Sequence, residues 1–418
     1  MTNDRIIASY WIETPHPVEA AVEAMAGEQS CGTFVRVHGE TDELRARFGA
    51  RVVRIRELES VDRPSLPGCK PPPGRPTYRR AEVDLSFPLE NLGPSLPNLM
   101  ATVAGNLFEL SQFSGLKLLD LELPEAFAKA YPGPQFGVEG TRRLTGVRGR
   151  PILGTIVKPS VGLAPEATAS LVRTLAEAGL DFVKDDELMA NPPHSPLADR
   201  VRAVMRAVNE HADRTGKKVM FAFNITDETD EMLRHHDAVL AAGGTCVMVS
   251  VNSAGLPAVA RLRRHAQLPI HGHRNGWGLW TRCPALGMEF PAYSKFWRLA
   301  GVDHLHTNGI RNKFFEADDS VVTSARSLLT PMLGGYVVMP VLSSGQWAGQ
   351  APDTYRRLES VDLMYLCGGG ILAHPGGPKA GVASLRQGWE AALEGRPLEE
   401  YAREHGELRQ AMETYGGR

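Results

Sequence analysis

From about residue 150 onward the sequence repeats one pattern eight times: a short apolar run, a polar turn, then residues with apolar positions every three or four places. The apolar runs are 152–158, 181–184, 219–225, 246–251, 269–273, 303–306, 336–342 and 364–366. Between them, segments such as 165–178, 230–242, 257–266, 317–329 and 380–393 carry helical spacing. Eight strand-like runs alternating with helices predict an α/β fold, a closed (β/α)8 TIM barrel rather than an open doubly wound sheet. No glycine-rich dinucleotide loop follows the first run; Gly368-Gly369-Gly370 follows the eighth.

Before residue 135 the pattern differs. Extended segments such as 51–58 and 78–87 mix irregularly with helical stretches, and a proline-rich loop spans 64–76. That irregular order predicts a smaller α+β N-terminal domain. The expected organisation of the 418 residues is this domain over 1–134, the catalytic barrel over 135–396 and a charged helical tail over 397–418. Pro132-Gly133-Pro134 reads as part of the connection. The formal net charge of −2 gives no bulk attraction to nucleic acid or a membrane surface. Five scattered cysteines with no CxxC pair argue against a disulfide framework and a thiolate zinc site, and fit a reducing compartment. The N-terminus lacks a basic segment followed by an apolar core, and no apolar run approaches spanning length, so a cytoplasmic location is expected.

Barrels of this kind place their chemistry at the C-terminal ends of the strands. The polar residues there are Lys158, Lys184-Asp185-Asp186-Glu187, Asn224, Asn252, His273-Arg274, His306, Ser343-Ser344-Gly345 and Gly368-Gly369-Gly370. The second group is the most informative. A buried lysine and clustered carboxylates are costly unless paired, metal-bound or titrated, so at a strand end they suggest a hard-metal site; a solvated acidic turn is the plainer alternative. The other groups have plain readings too. Lys158-Pro159 makes an ordinary turn, His273 and His306 make ordinary hydrogen-bonded interior histidines, and the glycines make a flexible turn. Functionally, Gly368–Gly370 would offer free backbone N–H groups to a phosphate, with Ser343 and Gly345 completing the cradle. Arg274 supplies a planar fork for a second anion.

In their joint order and spacing, GTIVKP (154–159), DFVKDDE (181–187), HGHR (271–274), DHLHTNG (303–309), VLSSG (341–345) and LCGGGILAHP (366–375) resemble the large chain of ribulose-bisphosphate carboxylase (RuBisCO) and its RuBisCO-like relatives. The resemblance covers nearly the whole chain. It implies that Lys184 is carbamylated by CO2 and, with Asp186 and Glu187, holds Mg2+; a desolvated lysine loses its proton more easily, which favours that reaction. It further implies that the metal stabilises an enediolate, with Lys158, His273 and the carbamate moving protons. Arg274, His306 and Ser343 would hold one phosphate, while Thr33, Gly345, Gly368 and Gly369 match the second phosphate position. Lys313 matches the lysine that neutralises a carboxylate in the carboxylase, with Glu28 as its partner. Glu28, Thr33 and Asn106 lie in segments that in the family reach into a neighbouring subunit's site, which implies a homodimer or larger homo-oligomer.

Departures from the carboxylase pattern narrow the reading. Ser160 stands where the carboxylases have a second lysine, in a KPK motif, whose charge modulates its neighbour's proton affinity. Phe34 replaces a tryptophan, Ser344 interrupts a glycine pair, and TNGIRNK differs in the loop leading to Lys313. The chain therefore resembles the RuBisCO-like (form IV) proteins rather than a CO2-fixing enzyme. Among their reactions, methionine-salvage enolases usually have His-Pro at strand five and lack the strand-six histidine, and the methylthioribulose-phosphate isomerases generally keep KPK. The remaining set acts on 3-oxo-isoapionate 4-phosphate in apiose breakdown, by decarboxylation or by hydrolysis with carboxyl transfer. That reading is preferred here, because a substrate with both a phosphate and a carboxylate would use Arg274 and His306 at one end and Lys313 at the other. Alternatives are a methionine-salvage activity on a methylthio-sugar phosphate, a Schiff-base aldolase built on Lys158 or Lys184, and a non-catalytic sugar-phosphate binder.

Overall fold

The computed structural model of the protein describes residues 4–32 and 37–417. They form two compact units. The first gathers the described residues of Met1–Pro132 together with Gly276–Leu299 and Leu333–Gly335. Its sheet contains β1 (Arg5–Thr14), β2 (Arg51–Glu57), β3 (Arg79–Pro88), β4 (Gly115–Glu122) and, much later in the chain, β10 (Leu286–Met288), in the order β10-β4-β1-β3-β2.

β1 is the central strand, antiparallel to β3 on one side and β4 on the other. Ile6, Ala8, Tyr10 and Ile12 point to one fully buried face, and the Tyr10 hydroxyl donates to the Val103 carbonyl at 2.8 Å. The sequence reading did not single β1 out, because Ile7 and Trp11 on the other face blur its alternation. β10 pairs parallel with β4. At three residues it carries no periodicity that a sequence can display.

The second unit contains the expected barrel. The strands β5 (Ile152–Ile156), β6 (Phe182–Lys184), β7 (Met220–Asn224), β8 (Cys246–Ser250), β9 (Ile270–His273), β11 (His304–Asn308), β12 (Met339–Ser343) and β13 (Met364–Leu366) close parallel in chain order. All eight apolar runs are strands. The interior is filled by residues including Ile152, Phe182, Met220, Met248, Met339 and Met364. At Gly154 a Cβ would lie 2.9 Å from the Phe182 carbonyl oxygen of the neighbouring strand, so a side chain there would force the backbone to shift.

Two buried aspartates fasten the N-terminal ends of the strands. Asp181 bonds Arg150, Lys217 and the Leu153 backbone N–H. Burial opposes its ionisation, yet Arg150 and Lys217 hold its carboxyl below the ordinary range. Asp303 accepts from Ile270 N and Arg263, each at 2.9 Å. These acids serve the scaffold, and they stand at the opposite strand ends from Lys184 and His306.

The charged segment at the C-terminus is a packed part of this unit. Helices Leu398–Glu404 and Gly406–Tyr415 bury Tyr401, Ala402 and Leu408 against Ala348 and Ala391, and Gln387 Oε1 accepts from Leu408 N at 2.9 Å. Among the described residues no helix is long and apolar enough to cross a membrane. Because Leu408 is fully buried, Leu408→Ala is expected to lower stability by about 2–5 kcal/mol. Chemical denaturation would measure it, and a change within about 0.5 kcal/mol would show that the C-terminal helices contribute no packing.

Candidate active site

The acidic turn after β6 divides its three carboxylates between two tasks. Asp185 turns inward: its Oδ2 accepts from Arg200 Nε at 3.2 Å and from Asn224 N at 3.0 Å. Arg200 is itself fully buried on helix Leu197–Thr215, and its other nitrogens donate to the carbonyls of Ser195, Met189 and Ala190. From the end of β7, Asn224 Nδ2 donates to the carbonyls of Asp186 at 3.1 Å and Glu187 at 3.2 Å. The turn is thus clamped through its backbone from two sides, leaving the side chains of Asp186 and Glu187 to form the site.

Lys184 at the end of β6 is buried, with Nζ donating to Asp185 O at 2.9 Å, 3.6 Å from Met248 Sδ and 3.7 Å from Glu187 Oε2. Burial lowers its proton affinity despite the pull of Glu187, Asp186 and Asp185. Lys158, beyond β5, reaches Asp186 Oδ2 at 2.6 Å and Ser160 Oγ at 2.8 Å. A neutral acceptor thus stands beside Lys158 where the KPK pattern would place a second positive charge. His273 Nε2 lies 3.6 Å from Glu187 Oε2, and burial with the nearby Lys184 holds this imidazole down to about 3.

These five side chains, Lys158, Lys184, Asp186, Glu187 and His273, form one cluster at the C-terminal ends of β5, β6 and β9. The donor set suits a hard divalent ion: two carboxylates stand beside an amine whose proton affinity burial lowers.

A second group lies at the ends of β9, β11 and β12. Arg274 Nη2 pairs with Glu316 Oε2 at 3.2 Å, and both side chains are buried. Glu316 also accepts from Asn308 Nδ2 and Ser320 Oγ. The loop after β11 thus brings a counter-charge to Arg274, a partner that the sequence did not mark. His306 Nδ1 is 3.2 Å from Ser343 Oγ.

Lys313 is exposed, and its backbone N–H donates to Ser344 O at 3.1 Å. A Cβ on Gly345 would meet Lys313 Cβ at 3.3 Å, so these two residues are in contact. Ser344 has φ 75°, the left-handed region where glycine fits without strain; its hydroxyl bonds Asn308 Oδ1 at 2.8 Å. Gly368 caps the short helix Gly369–Leu372 after β13, whose first N–H groups have no helical acceptor. A Cβ on Gly369 would meet nothing within 4 Å.

In the first unit Glu28 ends helix Val18–Glu28 and Asn106 begins a 3-10 turn, both exposed. With its amide oriented to satisfy both, Gln29 donates to Ala101 O at 3.1 Å and accepts from Asn106 N at 3.0 Å, joining the two elements. Thr33 lies outside the described residues.

Sequence reasoning missed Arg200, Glu316 and the inner histidines His271 and His304. Arg200 and Glu316 act through single contacts made across a loop, which leave no spacing signal. His271 and His304 stand inside motifs that were recognised, and only their inward orientation was hidden.

Elsewhere, His236, Asp237 and His265 bring three ligand-type atoms within 4.8 Å of one another. Gln267 N donates to His236 Nε2 at 3.1 Å, which places that ring's one proton on Nδ1, 3.0 Å from Asp237. A cation on Nδ1 would require an imidazolate, so the group reads as a hydrogen-bonded cluster.

An eight-stranded parallel barrel with a lysine, carboxylates and histidines at the strand ends defines a class, the (β/α)8 proteins with a polar mouth. Residues 137–415 match the family described as ribulose bisphosphate carboxylase large chain, catalytic domain, and residues 1–127 match its N-terminal domain. The chain belongs to this family, in its RuBisCO-like branch. It is 54% identical over 412 residues to a 3-oxo-isoapionate-4-phosphate transcarboxylase/hydrolase of Xanthobacter autotrophicus, covering 98% of this chain and 99% of that one. It is 50% identical over 406 residues to a 3-oxo-isoapionate-4-phosphate decarboxylase of Rhizobium etli, covering 96% and 97%. The crystal structure of a rubisco-like protein from Burkholderia fungorum superposes with a TM-score of 0.92 at 49% identity, covering 99% of this chain and all of the other.

The Asp185–Arg200 pair yields a prediction. Burial raises the Asp185 carboxyl and Arg200 opposes that rise; in Arg200→Met burial acts unopposed. A buried ion pair that loses one partner costs about 3–5 kcal/mol. A carboxyl raised above its unfolded value stabilises below the unfolded pKa and loses that contribution as pH rises through the folded one. The variant's deficit relative to wild type is therefore expected to be larger at about pH 8 than at about pH 5. Denaturation curves at the two pH values check this, and a pH-independent deficit would contradict it.

Proposed function

We propose that this protein is a Mg2+-dependent RuBisCO-like enzyme acting on 3-oxo-isoapionate 4-phosphate, cleaving the bond to its β-keto carboxylate by decarboxylation or by carboxyl transfer with hydrolysis. The observation that carries the reading is the cluster of Lys158, Lys184, Asp186, Glu187 and His273 in a chain that aligns end to end with relatives named for that substrate. Lys184, as its CO2 carbamate, would hold the metal together with Asp186 and Glu187. Bound there, Mg2+ supplies Lewis-acid stabilisation of negative charge developing on substrate oxygens.

The chain's own groups supply the rest. Lys158 places Nζ 2.6 Å from Asp186 Oδ2, within reach of the reacting groups. His273 is neutral across the working range and can accept one. Arg274 would bind the phosphate at the end where His306 and Ser343 also lie. Gly345, Gly368 and Gly369 would offer backbone to a second anionic group. Lys313, exposed on the loop that touches Gly345, would neutralise the substrate carboxylate. Glu28, Thr33 and Asn106 would complete the site of a neighbouring copy, giving a homodimer or larger homo-oligomer. A small phosphorylated molecule is the partner this arrangement suits, and nothing in the net charge of −2 favours nucleic acid or membrane.

Purified protein given Mg2+, bicarbonate and the keto acid phosphate is expected to consume it, and the products separate the two outcomes: free CO2 marks decarboxylation, a carboxylated fragment marks transfer. Lys313→Ala is expected to lower kcat/KM on that substrate by about 10²-fold, as loss of a charge-stabilising group does. An unchanged keto acid alongside turnover of a methylthio-sugar phosphate would overturn the assignment.

A further inference from the structure

Among the described residues, the hydroxyl of Ser250, the last residue of β8, is buried and has no hydrogen-bond partner. Buried hydroxyls are nearly always paired, and leaving one unpaired is unfavourable. The ordinary use for a serine at this position is absent. Ser250 is the N-cap of the short helix Val251–Ala254, where a serine oxygen commonly accepts from a backbone N–H of the first turn, yet its side chain makes no such bond.

The strand fixes where this hydroxyl stands. Side chains alternate along a strand, and Cys246 and Met248 of β8 both belong to the cluster that fills the barrel interior. Ser250 continues that face, one step nearer the mouth. Met248, the preceding residue on the face, has its Sδ 3.6 Å from Lys184 Nζ. On the other side Ser250 pairs in register with His273 of β9, and partners in register project from the same face of a sheet. The Ser250 hydroxyl therefore stands on the inner wall between the positions of Lys184 and His273. Lys184 and Asp186 are just as deeply buried, so depth does not set Ser250 apart from the groups of the site.

Ser250 is also held still. Its N–H donates to Thr226 Oγ1 at 2.9 Å, and the Thr226 hydroxyl donates to Asn224 Oδ1 at 2.6 Å. The same Asn224 side chain donates to the carbonyls of Asp186 and Glu187. The clamp that aims the acidic turn thus sets the position of Ser250 too.

We infer that Ser250 is a further substrate-binding residue, whose hydroxyl pairs with an uncharged hydroxyl group of the phosphorylated substrate beside Lys184 and His273. This deepens the reading under Proposed function and rests on its placing of the substrate in this mouth. Charged parts of that substrate have charged counterparts in Arg274 and Lys313. A serine hydroxyl, with one donor and two acceptor positions, matches a group that also donates and accepts. The partner arrives only with the substrate, so a hydroxyl left unpaired in the free protein becomes paired in the complex. A group that stays uncharged is held equally well before and during reaction, so the contact acts on KM and not on kcat.

The test compares wild type with Ser250→Ala in Mg2+ and bicarbonate on the keto acid phosphate, alongside thermal unfolding of each free protein. Ser250→Ala is expected to raise KM about three- to tenfold, the worth of one hydrogen bond between uncharged groups, with kcat changed by less than about twofold. Its unfolding midpoint is expected at or above that of wild type, because the substitution removes an unpaired buried hydroxyl. A lowered midpoint would show that the free protein already uses the hydroxyl and would overturn the inference. An unchanged KM, or a loss confined to kcat, would overturn it as well. If wild type leaves the keto acid phosphate unchanged and turns over a methylthio-sugar phosphate, the proposed function fails, and the same KM comparison on that substrate decides the role of Ser250. Turnover of neither substrate would overturn both.

Discussion

The buried pair of Asp185 and Arg200 is the contact on which the site depends. A strand ending in a lysine and three acids cannot place all four charges in one small volume without a way to separate them. Arg200 draws the first acid into the protein, and the Asn224 side chain takes the carbonyls of the other two. What remains is a lysine and two carboxylates whose backbone cannot turn away. Such pairs stabilise folds weakly in net terms. Here the pair fixes direction, and the chemistry proposed for Lys184, Asp186 and Glu187 follows from that direction.

The same economy of charge runs through the rest of the mouth. Cations at the mouth have an acid at hand: the exposed Lys158 has Asp186 and the buried Arg274 has Glu316. The buried histidines are neutral because burial removes their protons. Under the proposed function, a substrate phosphate arriving at Arg274 would compete with Glu316, which sits three residues after Lys313. Recognition at one end of the substrate would thereby be linked to the loop proposed to serve the other end.

Much of this was legible in the sequence, for reasons particular to each element. The eight barrel strands were readable because each is a short apolar run closed by a polar residue, and the barrel repeats that signal eight times. The strand-end residues were readable because the barrel geometry forces them to one face. β1 was not, since a central strand with apolar residues on both sides loses its alternation. β10 was not, since three residues carry no period. The C-terminal helices looked like a charged tail because Tyr401, Ala402 and Leu408 are few among many charges, yet those three make the packing. Within the site, the cluster around Lys184 was foreseeable from one contiguous motif. Arg200 and Glu316 were not, because a salt bridge across 15 or 42 positions leaves no trace in local spacing. Nor could a sequence show that His271 lies within hydrogen-bonding distance of both His304 and His306.

The central claim is that the clamped turn presents Lys184, Asp186 and Glu187 as a CO2-dependent metal site. The most direct measurement is Mn2+ binding, used as a spectroscopic stand-in for Mg2+, followed by electron paramagnetic resonance with and without CO2. The account predicts one tight site per chain that appears only with CO2 and is lost in Lys184→Arg. Equal Mn2+ affinity in CO2-free buffer, or binding that survives Lys184→Arg, would contradict it.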